Sequence, residues 1–396
     1  MTAAMKPATN SAPKPRAVLL AAFALLLGGC ALAPTSPPSA KLFNDDAFPA
    51  PSERPDAAQV FALNDAMRAY LRTEIAASVR EQGPRRGLIA GLYRNGGLKL
   101  EYDSAMTRNA VQAFEARTGN CLSLVIMTGA FAKAMGLPVR FQEVAVDTTY
   151  SRSGSFQYSI GHVNLTLGIT PNGISFRNHG VDPMIVDFLP PEDLRGVKMR
   201  PIDEQTVIAM YMNNRAAEAL ARGLFADAYA WAREAIRQDP NHVSAYNTLG
   251  AIYQRAGRPA DAERAYAYAI EREPGNTRAM SNRAQVLDQL GRGEEAQQLR
   301  QRLALMEPEP PFSDFNRAQV ALRAGDYRTA RDLLEKEAAR SSDYHEVHFW
   351  LAVAYAGLGE VGQVQRHLTL ARENSTTRQD RELYAAKLQR IKTGVH

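Results

Sequence analysis

From Val60 onward apolar residues recur at helical spacing. Val60, Leu63, Met67, Tyr70 and Leu71 share one face, and the pattern fades at Gly83-Pro84. Asp56 stands where it can cap this helix. Residues 105–117 read as a second helix. Residues 121–135 read as a third, closed by Gly136 with Pro138 just beyond. The period then changes. Val139 to Val146, Ile160 to Leu167, Ile174 to Phe176 and Met184 to Leu189 are short runs rich in β-formers, and Thr170-Pro171-Asn172-Gly173 marks a turn. Helices first and strands after, without βαβ alternation, predict an α+β domain over 57–200.

From residue 207 the chain is helical and periodic. Gly223, Gly257, Gly291, Gly325 and Gly359 stand 34 residues apart; Ala228, Ala262, Ala296 and Ala330 keep the same period, as do Pro240, Pro274 and Pro308. The glycine supplies a turn between two helices, the alanine lets them pack closely, and the proline stops the second helix. The clearest copy runs Tyr246-x-x-Leu249-Gly250-x-x-Tyr253, then Gly257, Ala262, Tyr266, Ala269 and Pro274. This pattern resembles the tetratricopeptide repeat, which implies an all-α solenoid over 207–374. Tyr384, Leu388 and Ile391 on one face of an otherwise charged stretch predict a cap helix within 375–396.

At the other end, Lys6, Lys14 and Arg16 precede an uncharged run from Ala17 to Leu27, too short for a permanent membrane helix. The run ends in Leu27-Gly28-Gly29-Cys30, which resembles the lipobox of bacterial lipoproteins. That resemblance implies a signal peptide over 1–29, lipidation of Cys30, a membrane anchor through it, and, with Ala31 following, the outer membrane facing the periplasm. Residues 30–56, rich in Pro, Ser and Ala, then read as an extended lipidated tether. The formal charge of the whole chain is +5, and cleavage would remove three of its cations to leave +2. An unclustered surplus of that size is no nucleic-acid footprint. The hydrophobic share of 45% suffices for ordinary cores.

Once Cys30 is lipidated, Cys121 is the one remaining thiol, in Thr118-Gly119-Asn120-Cys121-Leu122-Ser123. It opens a predicted helix, where the dipole and unpaired amides favour thiolate and can hold an oxyanion. Gly119 reads as a place of close backbone approach for a substrate. A thiolate nucleophile needs a histidine and a group to orient it. His162 and His179 are the histidines of the α+β domain. Alternation along the strand puts His162, Asn164 and Thr166 on one face and Val163, Leu165 and Leu167 on the other. Asp187, set inside an apolar run, is the better orienting carboxylate; Asp182, beside Pro183, is its rival.

Gly119-x-Cys121, an apolar helix, and Met135-Gly136-Leu137-Pro138-Val139-Arg140 together resemble the nucleophile segment of the transglutaminase-like, papain-like superfamily. The resemblance covers about residues 105–195 and implies that fold, with Cys121, His162 and Asp187 in the family's order. The aromatic usual two residues after the histidine is absent here, Asn164 standing there, and the interval to Asp187 is long. The implied chemistry is thiol acyl transfer from an amide or peptide, to water or to an amine, with no cofactor and no metal. Gly357-x-Gly359-x-x-Gly362 matches a dinucleotide motif only as a string, since no strand precedes it. His345 and His348 read as helix-surface residues, two ligands being too few for a metal. Polar positions such as Ser244, Asn247, Gln254, Arg278, Gln285 and Asp288 suit a protein or peptide partner on the repeat groove. Two function classes follow: an anchored thiol acyltransferase or hydrolase with a repeat scaffold, and a non-catalytic envelope adaptor acting through its repeats.

Overall fold

Asn64, rather than Asp56, starts the first long helix of the computed structural model, its side chain accepting the Met67 N–H at 2.9 Å. The structure describes residues 40–93, 98, 100–153, 156–168, 183–188, 198–306 and 312–392. Cys30, His179, Asp182 and the run Ile174 to Phe176 lie outside them. Asp56 caps only a 3₁₀ turn, Ala57–Gln59. The helix does not run on from that turn: the fully buried Val60 offers its carbonyl to the Ala110 N–H at 3.0 Å. Helix α1 (Asp65–Tyr70) continues through a π turn, Leu71–Ile75, into α2 (Ala76–Gln82), and α3 spans Pro84–Tyr93.

Strand β1 (Glu101–Tyr102) pairs in parallel with β2 (Thr118–Gly119), and between them α4 covers Ala110–Ala116. The helix expected from residue 105 begins later because its first amides are used elsewhere. Thr107 N–H donates to Glu218 Oε1 at 2.7 Å and Arg108 N–H to Ser123 Oγ at 2.8 Å. Helix α5 (Cys121–Ala134) is buried at every position from Cys121 to Ala132. Gly136, at φ +69°, ends it and turns the chain into the sheet.

That sheet is antiparallel, in the order β5-β4-β3-β6, with β3 Val139–Ser153, β4 Phe156–Leu167, β5 Met184–Val186 and β6 Lys198–Ile202. Val163, Leu165 and Leu167 of β4 join Leu122, Val125 and Ile126 of α5 in one core. A Cβ on Gly129 would stand 3.1 Å from the Phe141 ring, so α5 lies close on β3.

The solenoid follows as helix pairs: α6 (Glu204–Ala221) with α7 (Phe225–Gln238), α8 (Val243–Arg255) with α9 (Pro259–Arg272), and α10 (Thr277–Gln289) with α11 (Gly293–Met306). Then come α12 (Ser313–Arg323) with α13 (Tyr327–Arg340), α14 (His345–Gly357) with α15 (Val361–Glu373), and the final helix α16 (Arg378–Lys392). Each pair turns on one of the five registered glycines, at φ +76°, +73°, +75°, +75° and +80°. The residue after each glycine donates back five positions, as Leu224 N–H to Ala219 O at 3.0 Å and Arg258 N–H to Tyr253 O at 2.9 Å. A left-handed residue closing the helix this way is cheapest as glycine. Ala228, Ala262, Ala296 and Ala330 are all fully buried. Tyr384 and Leu388 of α16 are buried in the core of the last repeats.

The tether expected over residues 30–56 is, from residue 40, a strap packed on the first repeats. Leu42 is buried, and its carbonyl takes the Tyr253 hydroxyl at 3.0 Å. Asn44 N–H lies 3.0 Å from both the Tyr229 and Tyr253 hydroxyls, and Phe48 stacks on Tyr229. Asp227 accepts from Ser52 N–H at 2.6 Å, Ser52 Oγ at 2.8 Å and Glu53 N–H at 3.3 Å, and Glu53 pairs with Arg215. Composition alone reads this stretch as free chain; its polar groups are held because buried helix side chains need them. One core runs from this strap through the α+β elements to Val286, and a second is built from Phe312 to Leu388.

Candidate functional site

Cys121 is the first residue of α5, and the local sequence explains why the helix starts there. Asn120 is extended (φ −75°, ψ 175°), and its side-chain oxygen accepts from Ser123 N–H at 2.9 Å and Ser123 Oγ at 2.7 Å. Its amide nitrogen donates to Thr107 Oγ1 at 2.9 Å. Gly119 serves this same turn: a Cβ there would stand 2.7 Å from Ser123 Cβ. The glycine is therefore required for β2 to lie against the first turn of α5. Cys121 is a free thiol, 6% exposed.

His162 reaches the thiol from β4. Its Nε2 lies 2.6 Å from Asp187 Oδ1, and the Cys121 thiol is close enough to the same imidazole to help raise its pKa. With Nε2 turned to the carboxylate, Nδ1 is left for the sulfur. Asp187 follows the last residue of β5, where the ladder Leu165–Val186 sets it opposite Asn164. Asn164 Nδ2 donates to its other oxygen, Oδ2, at 2.7 Å. His162 is 4% exposed and Asn164 fully buried. Burial alone would lower the His162 pKa; the hydrogen bonds to Asp187 and Cys121 and the charges of both outweigh it and push it up to about 9. At neutral pH the ring holds its proton. The structure thus brings together Cys121, His162 and Asp187.

Tyr102 has no signal in the sequence. It sits on β1, beside Gly119, 37% exposed, with its hydroxyl close to the Cys121 backbone and thiol, and burial and the nearby thiol push its pKa up. Only the pairing of two two-residue strands places that ring, and nothing in residues 98–104 advertises it.

The solenoid histidines have separate surroundings. His345 Nδ1 is 2.9 Å from the Tyr384 hydroxyl. His348 is 6% exposed, not a helix-surface residue: its Nε2 donates to Ser342 O at 2.7 Å and its Nδ1 meets His367 Nδ1 at 3.3 Å. No group of three or more His, Cys, Asp or Glu capable of holding a metal occurs among the described residues, and no helix among them is long and apolar enough to cross a membrane. Several polar groups expected in the repeat groove are engaged within it. Asn247 accepts from Asn282 at 3.1 Å, Gln254 accepts from Tyr266 at 3.1 Å, and Asp288 pairs with Arg300.

Family models described as tetratricopeptide repeat match residues 231–264, 254–314 and 315–363. The C-terminal part of this chain is a run of tetratricopeptide repeats. Among solved structures the chain is similar to MamA protein, at 19% identity over 44% of this chain and 93% of that one, with a TM-score of 0.25. It is also similar to TTC0263, a thermophilic tetratricopeptide-repeat protein of Thermus thermophilus, at 18% identity over 46% and 99%, with a TM-score of 0.31. A third is YrrB, described as having an unusual peptide-binding site, at 18% identity over 46% and 92%, with a TM-score of 0.25. No curated protein matches the chain.

Proposed function

We propose that this protein is a repeat scaffold for a protein or peptide partner that also carries a thiol acyl-transfer site, in a domain of transglutaminase-like, papain-like type. Cys121 is the nucleophile, attacking an amide or ester carbonyl. The sulfur–carbonyl-carbon bond forms as His162 Nδ1 holds the thiol's proton, and that proton goes to the leaving amine as the C–N bond breaks. Water or a second amine then takes the acyl group, giving a proton to His162 as its bond to the carbonyl carbon forms and the carbon–sulfur bond breaks, which restores the thiol. Asp187 keeps Nε2 occupied and the ring in place. The observation that carries this reading is the line of contacts from the Cys121 thiol through the imidazole to a carboxylate 2.6 Å away. Anchorage through a lipidated Cys30 at the outer membrane, facing the periplasm, belongs to the same proposal; it rests on Leu27-Gly28-Gly29-Cys30.

The test is alkylation of the full chain by iodoacetamide. Cys121 is expected to react fast near neutral pH, and His162→Ala to slow it at least tenfold. A rate like that of an ordinary peptide thiol, unmoved by the substitution, favours the second reading, an adaptor acting through its repeats alone. The repeat matches support that alternative.

A further inference from the structure

We infer that Asn164 is a positioning residue for the thiol site, clamping the Asp187 carboxylate so that its other oxygen stays on His162. The inference rests on the proposed role of Cys121 and goes beyond the triad. The sheet register makes the clamp. Leu165 faces Val186, so the next pair outward is Asn164 and Asp187, while His162 lies one same-face position further along β4. The carboxylate therefore spans two neighbours: Oδ2 takes Asn164 Nδ2 at 2.7 Å, and Oδ1 takes His162 Nε2 at 2.6 Å. Thr166, next on that face, is turned to Gln142 on β3 at 2.7 Å.

Chemistry fixes which end of the amide points at Asp187, since a carboxylate only accepts. The cost of this arrangement is visible. Asn164 is fully buried, and its Oδ1 has no hydrogen-bond partner. An apolar residue would avoid that penalty. A carboxylate bound at one oxygen can rotate away; bound at both, it keeps one plane, and the imidazole keeps one proton-bearing nitrogen.

The test is the NMR titration of His162 and the pH profile of Cys121 alkylation in the full chain, for the wild type, Asn164→Leu and Asn164→Val. Loss of the clamp is expected to lower the His162 midpoint by a unit or more and to slow alkylation at pH 6 about tenfold. A role in packing alone would move the unfolding temperature and not the titration. If Asn164→Leu does not fold, Asn164→Val, smaller and suited to a strand, carries the test. An unchanged His162 midpoint in a folded variant overturns the inference. If instead wild-type Cys121 reacts as an ordinary thiol, the nucleophile reading fails, and the titration still decides whether Asn164 holds Asp187.

Discussion

Ser104 and Thr376 are 272 positions apart and are joined twice, Ser104 N–H to Thr376 O at 3.1 Å and Ser104 Oγ to Thr376 Oγ1 at 2.7 Å. The end of the solenoid thus returns to the segment that carries Tyr102, which lies close to Cys121. Glu101, also on that segment, acts electrostatically on Arg378 of the last helix.

Tyr102→Phe removes a hydroxyl that lies beside the Cys121 backbone and opens the first turn of α5 to a developing oxyanion. The expected outcome is a severalfold faster acylation burst with an activated ester. A slower burst would show instead that the phenol donates to the transition state. Because the ring is 37% exposed and its hydroxyl leaves without a new buried partner, unfolding should shift by no more than about 1 kcal/mol.

The His162 proton makes stability depend on pH in a fixed direction. Its pKa rises from 6.5 to about 9 on folding, so the stabilisation is complete below pH 6.5 and is lost as pH rises through 9. Asp187→Asn should therefore lie furthest below the wild type near pH 6, by on the order of 3 kcal/mol, and converge with it above pH 9. Urea unfolding across that range measures the gap; a gap constant with pH would remove the ion pair from the account.

The solenoid titrates in the opposite sense. Burial, the neighbouring His348 and Arg366 lower the His367 pKa to about 4, with Glu335 opposing them. The ring is stacked on Tyr355 and meets His348 Nδ1. Stability is full above pH 6.5 and falls as pH drops toward 4, by up to about 1.4 kcal/mol per unit. His367→Phe keeps a stacking ring and should flatten the unfolding temperature over that window. A wild-type curve already flat there would contradict the assignment.

Asp227→Ala should release the strap. It removes the acceptor for two backbone N–H groups and one hydroxyl of Ser52 and Glu53, a loss of about 2 kcal/mol. The readout is limited proteolysis, with new cuts expected between residues 45 and 56. Cuts equally frequent in the wild type would mean that the strap is not held.

What the amino-acid sequence made legible is local. Five glycines in register share one backbone conformation, and alternation alone put His162, Asn164 and Thr166 on one face. The unread parts depend on distant partners. That Asn164 meets Asp187 follows from the pairing of β4 with β5, which no short window contains. Strand β6, Lys-Met-Arg-Pro-Ile, has weak strand character and forms because β3 offers it an edge. The strap was hidden behind its Pro- and Ser-rich composition, since Tyr229, Tyr253 and Asp227 lie well over a hundred residues away.

Gly250 and Gly257 offer a last test, because the same residue type is required for two different reasons. A Cβ on Gly250 would stand 2.5 Å from the Tyr266 ring, which is fully buried and tied by its hydroxyl to Gln254. Gly250→Ala therefore overpacks the contact between α8 and α9 and should cost about 1–3 kcal/mol. Gly257 has open space around its missing Cβ but a φ of +73°. Gly257→Ala should cost about 1–2 kcal/mol through backbone strain alone. Asparagine separates the two. It tolerates the left-handed conformation, so Gly257→Asn should recover part of the loss, while Gly250→Asn, bulkier against the same ring, should be worse than alanine. Equal effects of asparagine at both positions in thermal unfolding would show that the helices reach their packing by some other constraint.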